Sequence, residues 1–180
     1  MRALLDLVRE GNPRPTAKEI AERAGVSLRS VYVHFDDLDD LFAAAVRRHV
    51  RDTAAFSEPI DATLPLHERI AAFAEQRARL FDGFGAVRRA ASQWAPTSTA
   101  LAHALERGQQ VAWSDTVRLF GDAIPPGPQH DLRLEAINAV GSAATWDQLR
   151  LGRGLTFEQA RAVVEVGVAR ILATDPKEAD

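Results

Sequence analysis

Ser27, Arg29, Ser30, Tyr32 and His34 fall within eight consecutive residues, Ser-Leu-Arg-Ser-Val-Tyr-Val-His. All five side chains can donate hydrogen bonds. An arginine fork matches the acceptors on a guanine edge, and hydroxyl and imidazole groups suit phosphate oxygens. Val31 and Phe35 are four residues apart and define one helix face, directed at a core. Arg29, Ser30, Tyr32, Val33 and His34 are then left on the outer face. Such a face offers contacts to bases and phosphates. A plainer reading also fits Tyr32 and His34, which could cover the packing against the next helix.

The flanking residues say how this helix is held. "TAKE" at 16–19 pairs an N-cap threonine with a glutamate three residues on, a capping box. Ile20 and Ala24 mark the inner face of the helix it opens, and Gly25 ends it. Ala24 permits close approach of two helices, Val26 is expected to plug the core, and Ser27 caps the second helix. Two short helices around Ala24-Gly25-Val26 make a helix-turn-helix, with residues ~28–34 as the candidate reader of a DNA major groove. A first helix over ~3–10 places Leu4, Leu7 and Val8 on one face, and Pro13 and Pro15 end it. The acidic run at 36–40 suits the start of a helix reaching about 53. Beyond a loop at 57–65, helical periodicity recurs over ~66–82, ~84–93, ~98–121, ~129–151 and ~156–173. Residues 175–180 read as a frayed tail. Alternating β-type runs are missing, so the expected fold is all-α.

Residues 16–46, "TAKEIAERAGVSLRSVYVHFDDLDDLFAAAV", resemble the N-terminal DNA-binding domain of the TetR family of transcriptional regulators. Thr16, Ile20, Ala21, Ala24, Gly25, Val26, Ser27, Tyr32, His34, Phe35 and Leu41 match the family pattern at its spacing. The resemblance implies a three-helix helix-turn-helix domain over 1–45 and a helical ligand-binding and dimerisation domain over 46–180. It implies that Thr16, Tyr32 and His34 meet backbone phosphates, while Leu28, Arg29, Ser30 and Val33 face the groove with Arg29 as base reader. Lys18 and Ser27 complete the expected DNA-binding set. It further implies a homodimer on double-stranded operator DNA, a repressor released by a small-molecule effector. The sequence departs from the pattern in three ways. The first helix is short, so Met1 is a late start or opens an abbreviated domain. Leu38 stands where many relatives carry a phosphate-binding lysine. Residues 1–54 hold nine Lys/Arg and nine Asp/Glu, so the DNA-facing part is neutral. Arg2, Arg14, Lys18 and Arg29, with Arg47, Arg48 and Arg51, must supply any local field. These departures keep an alternative open, a helical dimeric interaction module that has lost strong DNA binding.

The overall charge does not advertise nucleic-acid binding, and the motifs offer little to an enzyme reading. The chain has 180 residues, a net charge of -3 and no cysteine. Disulfides and thiolate zinc sites are therefore excluded, and the reducing cytoplasm fits. No apolar run approaches the ~20 residues of a membrane span. "MRALLDLVREGN" is not a signal peptide, and no membrane partner is expected. The five histidines never pair at i+3 or i+4, "LGRGL" lacks a phosphate-loop pattern, and no nucleophile-elbow glycines surround Ser92. Neither catalysis nor a cofactor or metal is expected. In the second half, residues 146–172 look like the last two helices of many TetR-type regulators. Small residues between Ala139 and Ala144 on the ~129–151 helix and Ala162, Gly167 and Ala169 on the ~156–173 helix, with the excess of valine on the latter, suit association with a second copy, or else plain internal core. Phe84, Arg88, Trp94, Trp113 and Trp146 are the candidate effector-binding residues, with the effector's identity left open and plain core packing the more ordinary reading of each aromatic.

Overall fold

Local chemistry sets the helix ends. The computed structural model describes residues 1–35, 37–52 and 58–173, and the side chains of residues 34 and 49–52 lie outside that description. The tail expected at 175–180, Asp36 and the side chain of Arg51 are outside it too. Among the described residues every regular element is helical: α1 (Arg2–Arg9), α2 (Ala17–Ala24), α3 (Leu28–His34), α4 (Leu38–Asp52), α5 (Leu66–Trp94), α6 (Thr99–Phe120), α7 (His130–Val140), α8 (Ala143–Asp147) and α9 (Phe157–Ala173). A single π-helical turn, Gln148–Gly152, follows α8. The chain forms two compact units. One is Met1–Ala55 with Phe84–Gly108, and the other is Phe56–Gly83 with Gln109–Asp180.

The first unit closes around α1 to α4. Leu4, Ile20, Val31, Leu41 and Phe42 are buried together, and Val87, Ala90, Ala91, Trp94 and Leu101 complete the same core from α5 and α6. Trp94 is 2% exposed. Its ring lies 4.7 Å from that of Phe42. Its indole N–H donates to the Pro13 carbonyl at 3.1 Å, and the Arg14 guanidinium lies 5.3 Å above its ring. Trp94 is thus a core residue of the unit that carries the helix-turn-helix. Glu10, just past α1, takes a two-pronged bond from Arg23 of α2, at 2.8 and 2.5 Å. That bond holds the Glu10 carboxyl below its ordinary range.

In the second unit α7 and α9 pack so closely that a Cβ on Gly167 would sit 2.9 Å from Val140. Gly141 likewise leaves room only for the Phe73 ring, 2.5 Å from where its Cβ would be. Phe73 meets Phe120 edge-on at 5.3 Å, and Trp146 meets Phe157 at 5.7 Å. The α9 helix begins with a box of its own: Thr156 N–H donates to Gln159 Oε1 at 2.9 Å, and Gln159 N–H to Thr156 Oγ1 at 3.3 Å. Its last carbonyls, Ile171 and Leu172, accept from the Arg133 guanidinium.

The helix bounds depart from the sequence reading in two places. The stretches expected at ~66–82 and ~84–93 are one 29-residue helix. A helical glycine costs only about 1 kcal/mol, so Gly83 and Gly85 do not interrupt it. The stretch expected at ~129–151 is divided, because Ser142 accepts from Thr145 N–H and starts α8 afresh.

Two expected outcomes test this account. Trp94→Phe keeps an aromatic ring but leaves the Pro13 carbonyl without its donor, so urea unfolding should show a loss of about 1–3 kcal/mol. Unchanged stability would mean that the indole bond holds nothing. Gly25 has φ +67° with nothing within 4 Å of a Cβ placed there. Gly25→Ala should then cost about 1–2 kcal/mol from backbone strain alone, and Gly25→Asn less.

Candidate nucleic-acid interface

The capping box read from the sequence is formed in full. Thr16 N–H and the Thr16 hydroxyl both donate to Glu19 Oε2 at 2.7 Å. Glu19 N–H donates back to Thr16 Oγ1 at 3.3 Å. These bonds hold the Glu19 carboxyl below its usual range. At the other end of α2, Gly25 N–H reaches the Glu22 carbonyl and Val26 N–H the Ala21 carbonyl, at 3.2 and 3.1 Å. This double closure turns the chain through a left-handed glycine, as the geometry of a Schellman motif requires. Ser27 then caps α3 by accepting from Ser30 N–H at 3.1 Å, and the Ser27 and Ser30 hydroxyls lie 2.8 Å apart.

Two expectations about this turn are corrected. Val26 does not plug the core: it is 48% exposed. Ala24 is exposed as well, and Ala21, at 4% exposure, joins Ile20 on the inner face of α2. The closure's backbone bonds hold the turn without an inward valine.

On α3 the inner row is as read. Val31 is 8% exposed, and Phe35 is half-buried against the same core. The outer row is open. Tyr32 is 51%, Leu28 46% and Val33 69% exposed, and Arg29 is exposed beside them. Ser30 is half-buried and already engaged with Ser27. The backbone of His34 closes α3. On α2, Lys18 extends into solvent with only a 3.9 Å approach to Glu22. The Thr16 hydroxyl hydrogen is engaged by Glu19. So Arg29, Leu28, Tyr32 and Val33 share one accessible helix surface, whereas Thr16 and Ser27 act first as caps. Tyr32 leaves half of its surface in solvent.

The effector candidates are divided between the two units. Phe84, Arg88 and Trp94 belong to the first unit, and Trp113 and Trp146 to the second. Trp146 is 2% exposed and packed in the core of its unit, and Trp113 is half-buried at the edge of that core. Two residues of the second unit escaped the sequence reading, the buried arginines Arg69 and Arg77. A signal for one existed: Arg77 stands four residues from both Phe73 and Phe81, in the apolar row of α5. Among the described residues no group of three or more His, Cys, Asp or Glu side chains could hold a metal ion. No helix among them is long and apolar enough to cross a membrane.

Comparison with known proteins agrees with this geometry. Residues 3–45 match the family model described as "Bacterial regulatory proteins, tetR family". The whole fold is similar to the crystal structure of a transcriptional regulator from Rhodococcus sp. Rha1, with a TM-score of 0.73 and 23% identity over 95% of this chain and 92% of that one. At that identity the likeness speaks for the fold alone. No curated protein sequence matches the chain. The match over 3–45 covers α1 to α3 and the first half of α4, the same segments whose caps, turn and outward row have just been described. Residues 3–45 are thus similar, in sequence as in the geometry of their caps and turn, to the helix-turn-helix domain of tetR-family regulatory proteins.

Proposed function

We propose that residues 1–45 bind double-stranded operator DNA, with α3 in the major groove. In this reading Arg29 reads a base edge and Leu28, Ser30 and Val33 line the groove. Tyr32, Lys18 and His34 hold phosphates. Thr16 could add a phosphate contact only by giving up its hydroxyl bond to Glu19. Residues 46–180 receive a small effector and a second copy of the chain. The protein is then a cytoplasmic, homodimeric repressor without catalytic activity, released from DNA by its effector. Two α3 helices, about 34–36 Å apart, would meet successive turns of a near-palindromic operator.

The observation that carries the DNA reading is the outward row of α3. Three apolar or aromatic side chains and one arginine stand in solvent there, while Val31 and Phe35 face the core. An isolated domain has no reason to expose them together, and a groove with thymine methyls, guanine acceptors and phosphates suits each. For association, α9 offers Val163 and Val166, 45% and 60% exposed, next to the buried Val164 and Val168. The acidic start of α4 and the bonded Glu10–Arg23 pair weaken any general attraction to phosphate. They are what favours the alternative, a dimeric interaction module without strong DNA binding.

Site selection from random duplexes, followed by salt titration, separates these readings. Arg29→Ala should lower specific affinity by about 1–3 kcal/mol and relax the preference at one position per half-site. An unchanged selection profile removes Arg29 as a base reader. Lys18→Ala should weaken all sequences alike and reduce the slope of log affinity against log salt by about 1. Tyr32→Phe should also weaken all sequences alike, but leave that slope unaltered because no charge is removed. A wild-type protein that selects no sequence, and shows no salt-dependent shift, is the interaction module.

A further inference from the structure

Arg77 is 6% exposed in the second unit. Its guanidinium lies over the Phe73 ring, 4.9 Å from the centroid. Among the described residues it makes one hydrogen bond, from Nη2 to the Ala112 carbonyl at 3.3 Å. That carbonyl also accepts from the fully buried Thr116 hydroxyl at 3.0 Å. The Nε–H of Arg77 is buried with no acceptor. Among the described residues no carboxylate oxygen comes within 4.0 Å of it. Asp115 is the acid whose charge reaches it, and that carboxylate is bonded to Arg118 at 3.0 Å.

Arginine carries five N–H donors and keeps its proton in proteins. Burial makes Arg77 less basic than usual, yet the charge remains. Buried charges are ordinarily paired, because an unpaired one loses its hydration with nothing in return. Arg69 shows the ordinary arrangement on the same helix. It is equally buried and leaves its own Nε without an acceptor. Its Nη1, however, meets the Leu119 carbonyl and the Asp122 carboxylate, each at 2.7 Å. Arg77 lacks that counter-charge. Around it are apolar side chains: Phe73, Ala74 and Ala78 are buried in one cluster, and Trp113, next to Ala112, is packed against it.

We propose that Arg77 anchors the carboxylate of a small apolar acid, whose remainder lies against Phe73 and Trp113. A planar carboxylate matches the guanidinium fork in two-pronged fashion. The apolar surroundings favour a monoanion, since each further charge adds its own loss of hydration. Thr116 can turn its hydroxyl from the Ala112 carbonyl to the bound acid. The proposal rests on the reading that the second unit receives an effector, and it supplies the chemical class.

The test uses the full-length protein and three acids, benzoate, phenylacetate and octanoate, each beside its neutral amide. Without ligand, Arg77→Met should melt above wild type, because an uncompensated buried charge is removed. Arg69→Met should melt below it. At least one acid should raise the wild-type melting temperature and change tryptophan fluorescence. Its amide should bind at least tenfold more weakly, and Arg77→Met should lose that preference. Arg77→Lys, which keeps the charge and loses the fork, should fall between the two. The proposal is overturned if Arg77→Met melts below wild type, if no acid binds, if acid and amide bind alike, or if Arg77→Met binds the acid as wild type does. Operator affinity with and without the acid keeps the two claims apart. Arg77-dependent binding that leaves operator affinity unchanged preserves the anion site and removes ligand release. Release of operator by an amide, undiminished in Arg77→Met, does the reverse.

Discussion

The helix-turn-helix stands on a contact made eighty residues away. Four short helices from the first 52 residues bury Leu4, Ile20, Val31, Leu41 and Phe42, but they do not enclose them. Trp94 closes the remaining side. Its ring packs on Phe42, its N–H holds the Pro13 carbonyl, and its face supports Arg14. Pro13 and Arg14 lie in the connection that leads into Thr16, where α2 is capped. The start of α2 is therefore tied down twice, by its own capping box and by a side chain from the end of α5. Everything that α3 presents depends on α2 being fixed, because the Gly25 turn transmits its direction.

What could be read from sequence was what local chemistry decides. Thr16 with Glu19, Gly25, and Ser27 with Ser30 each specify a cap or a turn within a few residues. The limits of α2 and α3 follow from them, and so does the outward row of α3. Where burial depends on distant partners, the reading failed. Val26 and Ala24 were expected inside because small and branched residues suit a tight crossing, yet the closure at Gly25 leaves both in solvent. Nothing near Trp94 in sequence points to its partners Pro13 and Phe42. Helices expected at ~66–82 and ~84–93 put a break at Gly83, but a helical glycine costs only about 1 kcal/mol and α5 runs through it. Arg77 was legible in principle from its place in an apolar row. Arginine at such a place is ordinarily read as surface.

Charge shapes the same surface in a less obvious way. Arg23 would add to a phosphate-facing field, but Glu10 takes its guanidinium in a two-pronged bond. Glu19 holds a carboxylate beside Thr16 at the start of α2. Arg14 lies over the Trp94 ring. On α2 and α3 the cations that extend into solvent are Lys18 and Arg29, with Arg2 on α1 and Arg47 on α4 also exposed. A domain built this way relies on a few placed contacts rather than on a diffuse positive face. Its affinity for arbitrary DNA should be low relative to its affinity for a fitting site, since the sequence-independent part of binding scales with the phosphates neutralised.

Modular proteins exchange functions when a gene is cut between domains and rejoined, and most domain boundaries fall in exposed linkers that tolerate it. This chain offers no such cut near residue 45. The unit that carries the helix-turn-helix also owns residues 84–108, which include the last third of α5 and the first half of α6. A recombinant that receives 1–45 from a relative also receives the task of fitting that relative's side chains against Val87, Ala90, Ala91, Trp94 and Leu101. The DNA-reading helix and the end of α5 are thus inherited as a pair. Changes of operator preference are easier to reach through point substitutions on the outer row of α3 than by exchange of whole segments.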